Sequence, residues 1–118
     1  MAAGPSEFRS VTPLIPAGES LPDALAFYRS QLGFTVAWQS EDMAGLARGP
    51  VSFNLVRNGN RAWADNCSCS IGVSDLDALY AEFASIDALV GLLETKPWGR
   101  REFHIIVPPG VCLQFFEQ

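Results

Sequence analysis

The chain has 118 residues, with 13 acidic against 8 basic side chains, a formal net charge of −5 and an apolar fraction of 48%. That is enough apolar material for one domain with its own core, and the acidic balance excludes an extended phosphate-binding surface, which needs clustered Lys and Arg. No apolar run is long enough to span a bilayer, and the opening MAAGPSEFRS lacks a basic stretch followed by an apolar one, so the expectation is a cytoplasmic protein with no membrane or nucleic-acid partner.

In chain order, RSVTPLIP reads as a first strand. SLPDALAFYRSQLGF follows as a helix, with Leu21, Leu25, Tyr28 and Leu32 at helical spacing. Ser20 is its N-cap, Pro22 fits the first turn and Gly33 is the stop. FTVAWQ, MAGLAR and VSFNLVR then read as strands, punctuated by Gly45, Gly49-Pro50 and Asn58-Gly59. Near Ala64 the order starts again. CSCSIGV is a strand, SDLDALYAEFASI a helix capped by Ser74 or Asp75, and ALVGLL is open between strand and helix. REFHIIV and VCLQFFE are strands set off by Pro97 and Pro108-Pro109-Gly110.

The halves echo each other: PDALAFY against LDALYAEF, and GPVSFNLV against PPGVCLQFF. The reading is an internal duplication within a single α+β domain over 1–118, with one module at about 8–64 and a second at about 65–118. The first seven residues are expected to fray.

Period-two alternation sorts the strand side chains. Phe53 and Leu55; Cys67, Cys69, Ile71 and Val73; and Val111, Leu113 and Phe115 form a face that suits helix packing. Ser52 and Asn54; Ser68, Ser70 and Gly72; and Cys112, Gln114 and Phe116 form a mixed face. Curved into a trough, that second face is a binding surface lined by Asn54, Ser68, Ser70, Gln114 and Phe116; left flat, it meets solvent. Trp38, Trp63 and Trp98 lie near strand ends or in turns, where an indole is suited to stacking on a flat ligand. Trp98 is held between Pro97 and Gly99.

His104 is the sole histidine and shares a strand face with Glu102, which leaves an acid/base pair open. No nucleophile with a base is legible, and no catalytic residue is assigned. Arg100, Arg101 and Glu102 read as solvated charges. Glu41, Asp42, Asp65 and Glu117 would supply a negative field for a cationic ligand. The three cysteines, Cys67, Cys69 and Cys112, are odd in number and read as buried thiols rather than a disulfide framework. A zinc set of Cys67, Cys69, Cys112 and His104 lacks the C-x₂-C spacing.

LPDALAFYRSQLGF, VSDLDALYAEF and PWGRREFHIIVPPG give the chain a resemblance, from about Val11 to Glu117, to the vicinal oxygen chelate superfamily. That superfamily includes glyoxalase I, bleomycin-resistance proteins, fosfomycin-resistance enzymes and extradiol dioxygenases. The PWG.REF stretch is most similar to the bleomycin-resistance branch. The resemblance implies two βαβββ modules forming a curved mixed sheet around a pocket, usually in a homodimer.

Metal-dependent members carry His, Gln or Glu at one position in the first and last strand of each module. Those positions fall here on Thr12 or Pro13, Asn54, Ser68 and Gln114. None is an imidazole or a carboxylate, so neither metal nor cofactor is expected. VPPGV stands where the superfamily usually has DPDGN; Pro and Gly preserve the turn, but the Asp and Asn side chains are lost.

The function implied is metal-independent sequestration of a cationic aromatic antibiotic of the bleomycin type. The small-molecule ligand would be held by Trp38, Asn54, Trp63, Ser68, Ser70, Trp98, His104, Gln114 and Phe116. The alternatives are a lyase or transferase of the glyoxalase-like fold acting on an unknown small substrate, and a purely structural role.

Overall fold

The structure, a computed structural model, describes residues 4–118. Pro13 has no amide hydrogen to give to a ladder, and the first strand, β1, is confined to Leu14–Pro16 rather than running through RSVTPLIP. Residues 4–13 form neither helix nor strand. Of the seven residues expected to fray, 1–3 lie outside the described residues.

Helix α1 spans Leu21–Leu32 and ends as its sequence dictates. Ser20 Oγ accepts the Asp23 amide hydrogen at 3.2 Å, and Gly33 closes the helix in the left-handed region. Its buried stripe is Leu21, Ala24, Leu25, Tyr28 and Leu32. Tyr28 meets Phe34 and Phe53 edge-on, with ring centroids 6.0 and 5.4 Å apart. Phe53 belongs to the first sheet, built from β1, β2 (Thr35–Gln39), β3 (Met43–Arg48) and β4 (Val51–Val56) in the order β1-β4-β3-β2, with β1 parallel to β4.

A short helix, α2 (Arg61–Asp65), follows. It is absent from the sequence reading, because five residues are too few to show a helical period. Asn60 caps it by accepting the Trp63 amide hydrogen at 3.2 Å. The order of the first half then repeats: β5 (Ser68–Val73), α3 (Leu76–Glu82), β6 (Leu89–Val90), β7 (Glu94–Thr95), β8 (Arg101–Val107) and β9 (Val111–Glu117).

Asp75, one of the two caps expected, accepts the Ala78 amide hydrogen at 3.0 Å. The helix is shorter than SDLDALYAEFASI: it passes into a 3-10 turn at Phe83–Ser85, which lets Phe83 turn into the core. ALVGLL is not helical. Its Leu89 and Val90 form a two-residue strand on β8.

The second sheet has the order β5-β9-β8-β6, with β7 also on β8 and β5 parallel to β9. This is the path of the first sheet again. In each half a helix lies on the connection between the two parallel strands, which no tight hairpin can join. The α+β class is as expected, and so is the βαβββ order, with β6 and β7 together taking the place of one strand beside β8 in the second half; the strands are shared between two mixed sheets, and among the described residues no strand of one pairs with the other.

The halves are tied by side chains. Arg48 on β3 donates from Nη1 to the Leu32 carbonyl at 2.9 Å and to Glu82 of α3 at 2.8 Å, while its Nη2 reaches the other Glu82 oxygen at 2.9 Å. That guanidinium holds the Glu82 carboxyl below the usual carboxylate range, chiefly by hydrogen bonding. The core takes the apolar strand faces expected from alternation. Phe53, Leu55, Val111 and Leu113 are at most 1% exposed, and a second aromatic cluster joins Phe83, Phe103 and Phe115. Among the described residues no helix is long and apolar enough to cross a membrane.

Candidate functional site: the open faces of the two sheets

Strand register lines up the side chains that point away from the core. On the first sheet Leu14, Asn54, Gly45 and Trp38 form one rung. On the second, Ser70, Gln114 and His104 form the corresponding rung. It lies between the rungs Ser68–Cys112–Ile106 and Gly72–Phe116–Glu102.

This register corrects two positions inferred for the first strands. Leu14, not Thr12 or Pro13, lies beside Asn54, and Ser70, not Ser68, lies beside Gln114. Leu, Asn, Ser and Gln together offer no imidazole or carboxylate to a metal ion. Cys67 and Cys69 point to the core side, whereas Cys112 and His104 lie on the open face, so that set of four does not converge. Among the described residues no three His, Cys, Asp or Glu side chains are grouped to hold a metal.

Trp38 reaches the open face through an irregularity. Thr35 and Val36 pair with Ala47 and Leu46, but Trp38 pairs with Gly45, so one extra residue is bulged between Val36 and Trp38. Strict alternation would have turned the indole to the helix side with Val36. The bulge turns it over Gly45 instead, where it is 46% exposed. A Cβ on Gly45 would run into the Trp38 indole nitrogen, with the next ring atom only 2.6 Å away. Gly45→Ala is therefore expected to lift the indole into water and shift its emission to the red. The check is fluorescence in a background where Trp63 and Trp98 are Phe; an unchanged spectrum would mean that the indole does not rest on Gly45.

On the second sheet Ser70 Oγ donates to Gln114 Oε1 at 3.2 Å, which fixes the Gln114 amide on the open face. His104 packs its ring against the bare backbone of Gly91, whose amide donates to the His104 carbonyl at 2.8 Å. One of the charges expected to be solvated is not. Glu102 is 2% exposed and accepts from Arg100 Nε at 2.9 Å, and the Arg100 guanidinium carbon lies 3.9 Å from the Phe116 ring centroid. Flanking strands and this stacked cation shut water away from the carboxylate. Arg101 is exposed and pairs with Asp77 at 2.7 and 3.1 Å.

Glu102 bonds Arg100 through Oε2, and among the described residues no hydrogen bond joins it to His104, so no contact supports an acid/base pair. Burial pushes the Cys67, Cys69 and Cys112 thiols up, away from the thiolate form a nucleophile needs. Three of the four acids expected to set a negative field have other engagements. Asp42 pairs with Arg57 at 2.8 Å, Asp65 lies 3.9 Å from Arg61, and Glu117 accepts the Leu76 amide hydrogen at 3.1 Å.

The structure gathers Ser68, Ser70, His104, Gln114 and Phe116 on one sheet face, and Trp38 with Asn54 on the other sheet. Trp98 stands in the turn between β7 and β8, 66% exposed. Trp63 is half-buried on α2, outside both sheets. Arg100 belongs with the open-face group and was missed, because only the fold returns it across β9 to Phe116. The open faces are shallow in the single chain. A groove of about 500 Å³ between the halves reaches Ser70 alone of the expected residues, and a cleft of about 650 Å³ lined by Phe34, Arg48, Val51, Ile71, Leu79 and Phe83, among others, includes none of them.

No protein-family model matches the chain. It is similar to the bleomycin resistance proteins of Geobacillus stearothermophilus and Staphylococcus aureus, at 26% identity over 125 aligned residues, covering 90% of this chain and 94% of theirs. It superposes on a bleomycin-binding protein crystallised with bleomycin, with a TM-score of 0.84 and 21% identity over 94% of this chain and 99% of that one. It also superposes on the bleomycin-binding protein of the bleomycin-producing Streptomyces verticillus, crystallised with copper(II)-bleomycin. There the TM-score is 0.86, at 30% identity over 96% of this chain and 98% of that one. These likenesses bear out the family resemblance carried by the FYRSQLGF and PWGRREF stretches, and the chain belongs to the bleomycin resistance protein family, a branch of the vicinal oxygen chelate fold.

Proposed function

We propose that the protein is a metal-independent binding protein that sequesters a bleomycin-type antibiotic, acting as a homodimer in the cytoplasm. The observation that carries this reading is the full-length likeness, at 30% identity, to a protein crystallised with copper(II)-bleomycin. The open faces supply matching chemistry: exposed indoles at Trp38 and Trp98 for stacking, and uncharged hydrogen-bonding groups at Asn54, Ser70 and Gln114. Sequestration needs no catalyst, only a surface that closes around the drug. Three free thiols suit a reducing compartment.

A homodimer is supported by the shape of the chain. Its radius of gyration is 15.7 Å, against about 13.5 Å for a rounded domain of this length. Residues 4–13 form neither helix nor strand, with Phe8 fully exposed and Val11 84% exposed. Two modules per chain, one near 8–64 and one near 65–118, each with a shallow open face, would make a deep cleft when the face of one chain meets that of a second.

The direct test is tryptophan fluorescence on titration with metal-free bleomycin, with and without a chelator, beside unrelated aromatic cationic drugs. The expected result is saturable quenching by bleomycin that ignores the chelator. Absence of any bleomycin-dependent change, together with no added drug tolerance in expressing cells, would sink the reading.

A further inference from the structure

The Arg100–Glu102–Phe116 cluster has an arrangement that neither ordinary surface charge nor core packing requires. The Glu102 side chain is 3% exposed and that of Arg100 is 41% exposed, so the carboxylate is the buried anchor and the guanidinium its outward end. Two contacts hold the guanidinium: the 2.9 Å bond from Nε to Glu102 and the face of Phe116 at 3.9 Å. Arginine carries five N–H donors. Only Nε–H is used, and neither terminal nitrogen has a hydrogen-bond partner among the described residues. The result is a flat, oriented group with unused donors on the open face, one rung from Gln114 and His104.

We propose that Arg100 determines specificity on this face by donating its terminal N–H groups to a neutral carbonyl or carboxamide oxygen of the ligand. The proposal rests on the open face being the ligand site. Stacking on Phe116 leaves the guanidinium little freedom to lose when an acceptor docks. The choice of a neutral oxygen follows from charge. Glu102 already balances Arg100, and the chain carries −5 overall, so a full anion meets no net positive charge. An ammonium group would face the guanidinium directly, while the only buried carboxylate nearby is occupied. The ligand class selected is a flat aromatic system with an amide oxygen beside the ring.

The test compares two probes that differ in one head group, naphthalene-2-carboxamide and 2-naphthylmethylamine, by ligand-observed NMR, with metal-free bleomycin titrated in parallel. The variants are Arg100→Lys, which keeps the charge but not the planar fork, and the double change Arg100→Ala with Glu102→Gln. The double variant leaves no unpaired buried carboxylate and so protects the fold; thermal melting checks it.

The wild-type chain is expected to bind the carboxamide several-fold more tightly than the amine. That preference should vanish in both variants, and bleomycin should bind the double variant about tenfold more weakly, as for a lost charge-assisted hydrogen bond. Equal binding of the probes, tighter binding of the amine, or a preference unchanged in the variants overturns the assignment; so does equal bleomycin binding by wild type and double variant, or binding of neither probe nor drug. A carboxamide preference that depends on Arg100, in a chain that does not bind bleomycin, would instead uphold the assignment and remove bleomycin as the ligand.

Discussion

Phe103→Ala is expected to cost about 3–5 kcal/mol of stability, the usual range for emptying an aromatic site in a core. Phe103 is completely buried at the middle of β8. It stacks on Phe115 at 5.2 Å and meets Tyr80 and Phe83 edge-on at 5.0 and 6.5 Å. No neighbour can collapse into the gap, because the rings around it belong to α3, to the 3-10 turn and to β9, each held by its own hydrogen bonds. Against a total of about 5–15 kcal/mol for a domain, this is a large share, and the melting temperature should fall by roughly 15 °C. Ile106→Ala, on the open face of the same strand, serves as the comparison and should cost a third as much or less. Thermal unfolding followed by circular dichroism checks both. Equal losses at the two positions would mean that the helix side of β8 is not the core side.

Removing residues 1–10 is expected to leave each half folded and to weaken the proposed dimer severely. β1 begins at Leu14, so every strand pairing survives the truncation. What is lost is Phe8, an apolar side chain fully exposed in the single chain, together with the residues around it. Burying one such side chain contributes about 2 kcal/mol, and a two-fold assembly buries it twice. Each 1.4 kcal/mol is a factor of ten in a dissociation constant, so the dimer should weaken by about a thousandfold, and drug binding with it. Sedimentation at micromolar concentration reads the outcome, with 12.8 kDa as the mass of one chain. Phe8→Ser should produce part of the effect. A full-length chain that sediments as a monomer, or a truncated chain that dimerises as well as the parent, would refute the role given to the arm.

The extent to which the site was legible follows from the range of the interactions that build it. Asn54, Ser70 and Gln114 were placed on the open face by alternation alone, since each lies in a strand whose core-facing neighbours are large and apolar. Arg100 was not, because its place over Phe116, 16 positions away in sequence, depends on a turn and on the pairing of Glu102 with Phe116. Trp38 was named for its chemistry, but alternation alone would have assigned it to the wrong side of β2.

From its sequence alone, the chain determined the presence of both main helices, the caps at Ser20 and Gly33, a second-helix cap at Ser74 or Asp75, the core-facing residues of the long strands, and the repeated strand–helix–strand order. These rest on local signals, namely helical and two-residue periods, capping side chains, and turns at Gly and Pro. The tertiary structure decided the rest. It set the registers that put Leu14 beside Asn54 and Ser70 beside Gln114, the bulge that turns Trp38 over Gly45, and the division into two sheets. It also decided the burial of Glu102 beneath Arg100. Each of these depends on which distant strand lies alongside, and no local period records that.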